Sequence, residues 1–189
     1  MTIAIFWLSL LAWIGLELWR QARDLRAVSI QVKADRGSIW LTTGLTVAGI
    51  AIGFAGGRTF GWYMPGRTSM ALFVAGIALM WLGIALRLWS IGTLGRFFHS
   101  QVVIQKDHAV VSTGPYRFLR HPSYAGAVLT ALGAGIVLAN WFSLLAFLVI
   151  PLVGYLRRIQ IEEEALLASL GSDYRTYSQQ TWRLVPFVW

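Results

Sequence analysis

Apolar positions in this chain come in long unbroken stretches. Residues 1–16 carry no charged side chain, and the run continues past Glu17 to Trp19. Residues 37–57 and 68–86 are likewise free of Asp, Glu, Lys and Arg. The longest such stretch, 121–156, exceeds what one membrane crossing needs, since about 20 apolar residues span the hydrocarbon core of a bilayer. Leu138-Ala139-Asn140-Trp141 divides it into two short antiparallel helices joined by a tight turn. The pattern thus predicts an all-α integral membrane bundle of about five transmembrane helices, over 2–19, 38–57, 69–90, 122–138 and 141–156. It forms a single membrane domain over 1–189, three helices in 1–91 and two with a polar tail in 92–189.

Composition agrees. Of the 189 residues, 57% are hydrophobic and 13% charged, which leaves too little polar surface to cover a water-soluble globule and excludes a disordered chain. The absence of cysteine excludes disulfides, thiol nucleophiles and cysteine-ligated zinc. A net charge of +8 in so apolar a chain points to a membrane surface and its lipids rather than to nucleic acid. The N-terminus has no basic region before its apolar run and no small-residue cleavage site, so it reads as a retained span.

Basic residues orient the bundle. Arg20, Arg23, Arg26, Lys33 and Arg36 follow the first helix; Arg96, Lys106, Arg117 and Arg120 follow the third; Arg157, Arg158, Arg175 and Arg183 lie in the tail. Only Arg58 and Arg67 separate the second and third. The N-terminus is therefore expected outside, with the 92–121 segment and the C-terminus cytoplasmic. Arg87, near the cytoplasmic end of the third helix, is expected to snorkel to the interface. Trp19, Trp40, Trp62, Trp89 and Trp141 fall near the expected interfaces. Gly49 and Gly53 on the second helix, and Gly126 and Gly133 on the fourth, allow close approach of another helix, within one chain or in a dimer. The oligomeric state stays open.

Two polar segments hold the candidate chemistry. The first, 92–121, contains His99, His108 and His121, with no spacing that suits a metal site. Gly114-Pro115 signals a turn, and Pro122 suits the first position of a helix, where its missing N–H costs nothing. The helix start would aim free N–H groups at the cytoplasmic interface, an attractive place for a carboxylate or phosphate that Arg117 and Arg120 would reinforce. A juxtamembrane anchor reads from the same residues. The second segment, Arg157-Arg158-Ile159-Gln160-Ile161-Glu162-Glu163-Glu164, continues the fifth helix and sets Arg158 and Glu162 on one face. A solvated helix end is the alternative, above all for Glu164. Gly171 reads as a helix stop, 173–177 as a short helix and 183–186 as an extended piece.

Tyr116 through Gly126, with its Arg-His-Pro-x-Tyr-x-Gly core, resembles the signature of the isoprenylcysteine carboxyl methyltransferases, and more loosely that of membrane phospholipid N-methyltransferases. The tail is similar too: Arg158-x-x-x-Glu162-Glu163-x-x-Leu166, Leu170-Gly171-x-x-Tyr174-x-x-Tyr177 and Arg183-x-x-Pro186. The resemblance covers about 92–186 and implies an integral membrane enzyme that uses S-adenosyl-L-methionine without a Rossmann domain. It implies cofactor contacts at Gln105, His108, Ala109, Val110, Val111, Tyr116, His121, Pro122, Ser123, Tyr124 and Glu162, and a substrate-binding arginine at Arg158. Arg158 and Glu162 are the expected catalytic pair, with no metal. The substrate implied is a lipophilic or prenylated carboxylate drawn from the bilayer; an amine acceptor and a non-catalytic binding protein of the same fold are the alternatives. The additional N-terminal helices of the eukaryotic enzymes are lacking, which is closer to a minimal form in a prokaryotic inner membrane.

Overall fold

The structure, a computed structural model, describes residues 2–27, 35, 37–102 and 108–189, with 23–27 described as backbone only. Among the described residues six α-helices follow in order: α1 Thr2–Ala27, α2 Ser38–Thr59, α3 Met70–Leu94, α4 Pro122–Leu138, α5 Trp141–Leu170 and α6 Ser172–Gln179. Short 3₁₀ turns occupy Gly95–Phe97 and Gly114–Arg117. α1, α2, α3 and α5 are long and apolar enough to cross a membrane. The chain is an integral membrane protein. α4 is equally apolar, but its 17 residues reach only about 26 Å, short of the roughly 30 Å hydrocarbon thickness. It runs beside longer helices rather than repeating their length.

The hairpin of α4 and α5 turns where the sequence predicts. Ala139 ends α4 in the left-handed region (φ 49°), and Asn140 caps α5 by accepting a hydrogen bond from Ser143 N at 3.1 Å. The Asn140 amide also donates to Gly57 O, and Met64 N donates to Ala139 O, tying the hairpin to the 61–64 loop.

Small residues decide how the helices meet. α3 packs along α4 and α2 along α5. A methyl placed on Gly133 would lie 2.5 Å from both Gly76 O and Met80 N; one on Gly126 would lie 2.6 Å from Gly83 O. On α2, Gly49 faces Ala146 O and Pro151, and Gly53 faces the Phe147 ring. Both glycine pairs therefore serve packing within the chain. Phe6, Leu10, Trp13, Met80, Ile84, Ala131, Ala134 and Phe147 form the core where α1 joins this frame. Trp19, Trp40, Trp62, Trp89 and Trp141 are all exposed, as an outward-facing amphipathic ring requires.

Two helices run further than hydropathy predicts. α1 continues beyond Trp19 to Ala27 and α3 beyond Ser90 to Leu94, because backbone hydrogen bonding does not stop where apolar character does.

Candidate functional site

α4 begins at Pro122 with His121 as its N-cap, and the 118–121 backbone ahead of it is paired with the tail. Arg120 N and His121 N donate to Trp182 O and Arg183 O at 2.7 and 3.0 Å, and Trp182 N returns a bond to Phe118 O at 3.0 Å. The Tyr177 hydroxyl donates to Tyr116 O at 2.8 Å. Loop and tail, some sixty positions apart in sequence, form one unit.

Glu163 is the ionic centre of that unit. Its carboxylate accepts from Arg120 Nε (2.8 Å) and Arg183 Nε (3.0 Å), and lies 3.3 Å from His121 Nε2. Arg120 also donates to Ser178 O and Thr181 O, at 2.5 and 2.6 Å. Arg120 lines the cleft as expected of a residue near an anion site, and its guanidinium also clamps the tail.

Glu162, one residue earlier, turns the other way. It accepts from the Tyr124 hydroxyl at 2.5 Å and lies 3.4 Å from His121 Nδ1 and 3.3 Å from Arg158 Nε. His121 therefore sits between two carboxylates and is 5% exposed. Burial works against a charged ring there, but the hydrogen bonds to Glu162 and Glu163 and their charges outweigh it and hold its pKa above 6.5.

Behind this network lies a cleft with about 880 Å³ of space between its walls, open mouth included. His108, Ala109, Val110 and Val111 line one side, Tyr116, His121, Ser123 and Tyr124 another, and Glu162, Leu166, Tyr174 and Tyr177 a third. Nine of the sequence-expected cofactor contacts thus share one cavity. Pro122 is wholly buried behind the wall instead, and Gln105 lies outside the described residues.

Three buried polar atoms on the cleft walls lack a hydrogen-bond partner: His108 Nδ1, Gln101 Oε1 and Tyr174 Oη. Such groups cost free energy unless something satisfies them, so the cleft suits a ligand with several donors and acceptors. Burial, then the neighbouring His99, holds the His108 pKa below 6.5, leaving a neutral ring at pH 7. Burial, then the charge of Glu162, pushes the Tyr116 hydroxyl well above 10.

A second cavity of about 970 Å³, open sides included, lies between α1 and α2 and is lined mainly by apolar atoms. Arg158 opens onto this chamber rather than onto the cleft. Its side chain is 5% exposed and closely held: Nε donates to Tyr124 Oη (2.6 Å), Nη1 to Asp35 Oδ1 (3.2 Å) and Ser38 Oγ, and Nη2 to Ser100 O. Phe98, His99 and Tyr124 line both cavities, so one thin wall separates them.

Arg87 does not snorkel. Its Nε and Nη2 grip both oxygens of Glu17 on α1, the second at 2.7 Å, and its Nη1 donates to Ser123 O and Ser123 Oγ at 2.9 Å each. Sequence reasoning missed this pair, whose one signal was a lone carboxylate inside an apolar run opposite a lone arginine. It also missed Asp35, which accepts from Ser38 Oγ and Ile39 N at the start of α2 and faces Arg158.

Residues 76–168 match the family model described as the isoprenylcysteine carboxyl methyltransferase family. Protein-S-isoprenylcysteine O-methyltransferase B of Arabidopsis thaliana is 36% identical over 115 residues, covering 60% of this chain and 58% of that protein. The protein-S-isoprenylcysteine O-methyltransferase of Saccharomyces cerevisiae is 33% identical over 117 residues, covering 61% and 49%. A solved structure of the eukaryotic intramembrane Ras methyltransferase, an isoprenylcysteine carboxyl methyltransferase, superposes with a TM-score of 0.63 at 31% identity, covering 77% of this chain and 52% of that one. The chain spans about half the length of these relatives.

Proposed function

We propose that the chain, which matches the isoprenylcysteine carboxyl methyltransferase family model through residues 76–168, is a membrane methyltransferase of that family esterifying the carboxylate of a lipophilic, prenylcysteine-like acceptor. The observation that carries the reading is the shared wall. A cleft built by loop and tail, with a larger polar share in its walls, stands back to back with a more apolar chamber opening between two helices, with Phe98, His99 and Tyr124 common to both. Transfer between a water-soluble donor and a membrane-borne acceptor calls for this arrangement.

The cleft is the site for S-adenosyl-L-methionine, whose sulfonium supplies an activated methyl group. His108, Gln101 and Tyr174 offer their unsatisfied atoms to its nucleoside. His121, with the first turn of α4, faces its amino acid end. Glu162, anchored by Tyr124, Arg158 and His121, supplies a fixed carboxylate to hydroxyl or amino donors.

A carboxylate acceptor is already ionised near pH 7 and needs no general base. The protein's part is to hold the partners in line and keep water out. Arg158 provides positive charge on the acceptor side and fixes the Tyr124 ring in the wall. The acceptor's hydrocarbon enters sideways between α1 and α2 from the bilayer. The basic residues put the cleft on the cytoplasmic side.

Calorimetric titration with S-adenosyl-L-methionine tests the cleft, and methyl transfer from labelled cofactor to N-acetyl-S-farnesylcysteine tests the chemistry. The product is expected to release methanol in base. A base-stable methyl on a phospholipid amine would replace the carboxylate reading with an amine one.

A further inference from the structure

Arg20, Arg87 and Arg158 line the acceptor chamber, and the last two each meet a carboxylate from the first half of the chain on different terms. Asp35, the partner of Arg158, is 6% exposed and is also bound by Ser38 Oγ, Ile39 N and Val102 N. It is part of the fold. Glu17, the partner of Arg87, lines the chamber with its side chain 32% exposed and uses both oxygens on one guanidinium edge. That two-pronged grip is the one an acceptor carboxylate would make. Nη1 of the same arginine holds Ser123, a residue of the cleft wall, so an anion on the Arg87 fork would lie beside the boundary between the cavities.

We propose that Glu17 is a resident carboxylate standing in the acceptor's place on Arg87, and that a carboxylate acceptor binds by exchanging with it. The proposal rests on reading the lateral chamber as the acceptor site. Arg20 makes the exchange feasible. It lies one turn along α1, with Nη1 3.5 Å from Glu17 Oε1 and its guanidinium 4.5 Å from the centre of the Phe98 ring. A Glu17 side chain leaving Arg87 keeps a cation within reach, so neither carboxylate is left unpaired in an apolar chamber. Glu17 thereby sets a threshold: an acid must bring enough apolar contact to displace it, and a polar acid does not. This makes α1 a determinant of specificity although the motifs lie in the second half of the chain.

The test compares wild type with Glu17→Gln and Glu17→Asp, using N-acetyl-S-farnesylcysteine as acceptor and its carboxamide as competitor. In Glu17→Gln the KM for the acid should fall by about tenfold, the scale of one charge-assisted hydrogen bond no longer contested. Glu17→Asp, whose shorter carboxylate grips the fork less well, should show a smaller fall. The Ki of the carboxamide should be the same in all three, because it has no charge to exchange. An unchanged or raised KM, or a Ki that shifts together with KM, overturns the proposal. If Glu17→Gln no longer binds S-adenosylhomocysteine and so has lost its fold, Glu17→Asp decides by the same criteria. Should wild type form no base-labile ester, the functional reading fails; equilibrium binding of the acid and its amide to wild type and variant then decides the exchange alone.

Discussion

Glu162 and Glu163 are neighbours in sequence yet belong to different circuits. Glu163 holds Arg120 and Arg183 and ties tail to loop, whereas Glu162 binds Tyr124 and faces the cleft. Glu162→Ala should weaken S-adenosyl-L-methionine binding at least about tenfold by calorimetry, the scale of a lost charged hydrogen bond. Arg158→Lys keeps a cation opposite Asp35 but forfeits the fork that fixes Tyr124, so turnover should fall about tenfold with a smaller change in cofactor affinity. The sign of the His121 effect follows from its position. Because its folded pKa stands above 6.5, the stabilisation it provides is complete below about pH 6.5 and is lost as pH rises through the raised value. Thermal unfolding of wild type and His121→Gln should therefore differ most at mildly acidic pH and converge in alkali. The Arg-His-Pro-x-Tyr run made His121 and Tyr124 legible as candidates. Glu163 was not, because its role depends on Arg183, which the fold alone brings within 3.0 Å.

At the scale of elements, the α3–α4 seam is set by paired glycines. A methyl on Gly133 would crowd the Gly76 carbonyl and the Met80 amide, both backbone atoms that cannot rotate aside. Gly133→Ala should destabilise the protein by about 1–3 kcal/mol, read as a lowered unfolding temperature in detergent. Asn140→Ala removes the cap of α5 and the bond to Gly57 O, at a cost of about 1 kcal/mol or more. The turn at Ala139-Asn140 and the start of α4 at Pro122 were readable because cap and proline chemistry is local. The far ends of α1 and α3 were not, since hydropathy marks what lipid tolerates and not where helical hydrogen bonding ends.

For the whole molecule, the two cavities are built by two assemblies of distant residues: loop with tail around Glu163, and α1 with α3 through Glu17 and Arg87. Arg183→Ala should loosen the first, so hydrogen exchange at the amides of Arg120, His121 and Trp182 should quicken and cofactor affinity should drop. Unaltered exchange would show that backbone pairing alone holds the tail. By itself the amino-acid sequence determined the helical membrane character and the hairpin turn, and its motifs marked nine residues that share the cleft, because long apolar runs, caps and motifs are local properties of the chain. Only the tertiary structure decided that Arg87 is paired rather than snorkelling, that Arg120 clamps the tail and that Arg158 faces a second chamber. Those outcomes depend on which charge each buried guanidinium meets, and in a low-dielectric interior the nearest partner in space settles that, wherever it lies along the chain.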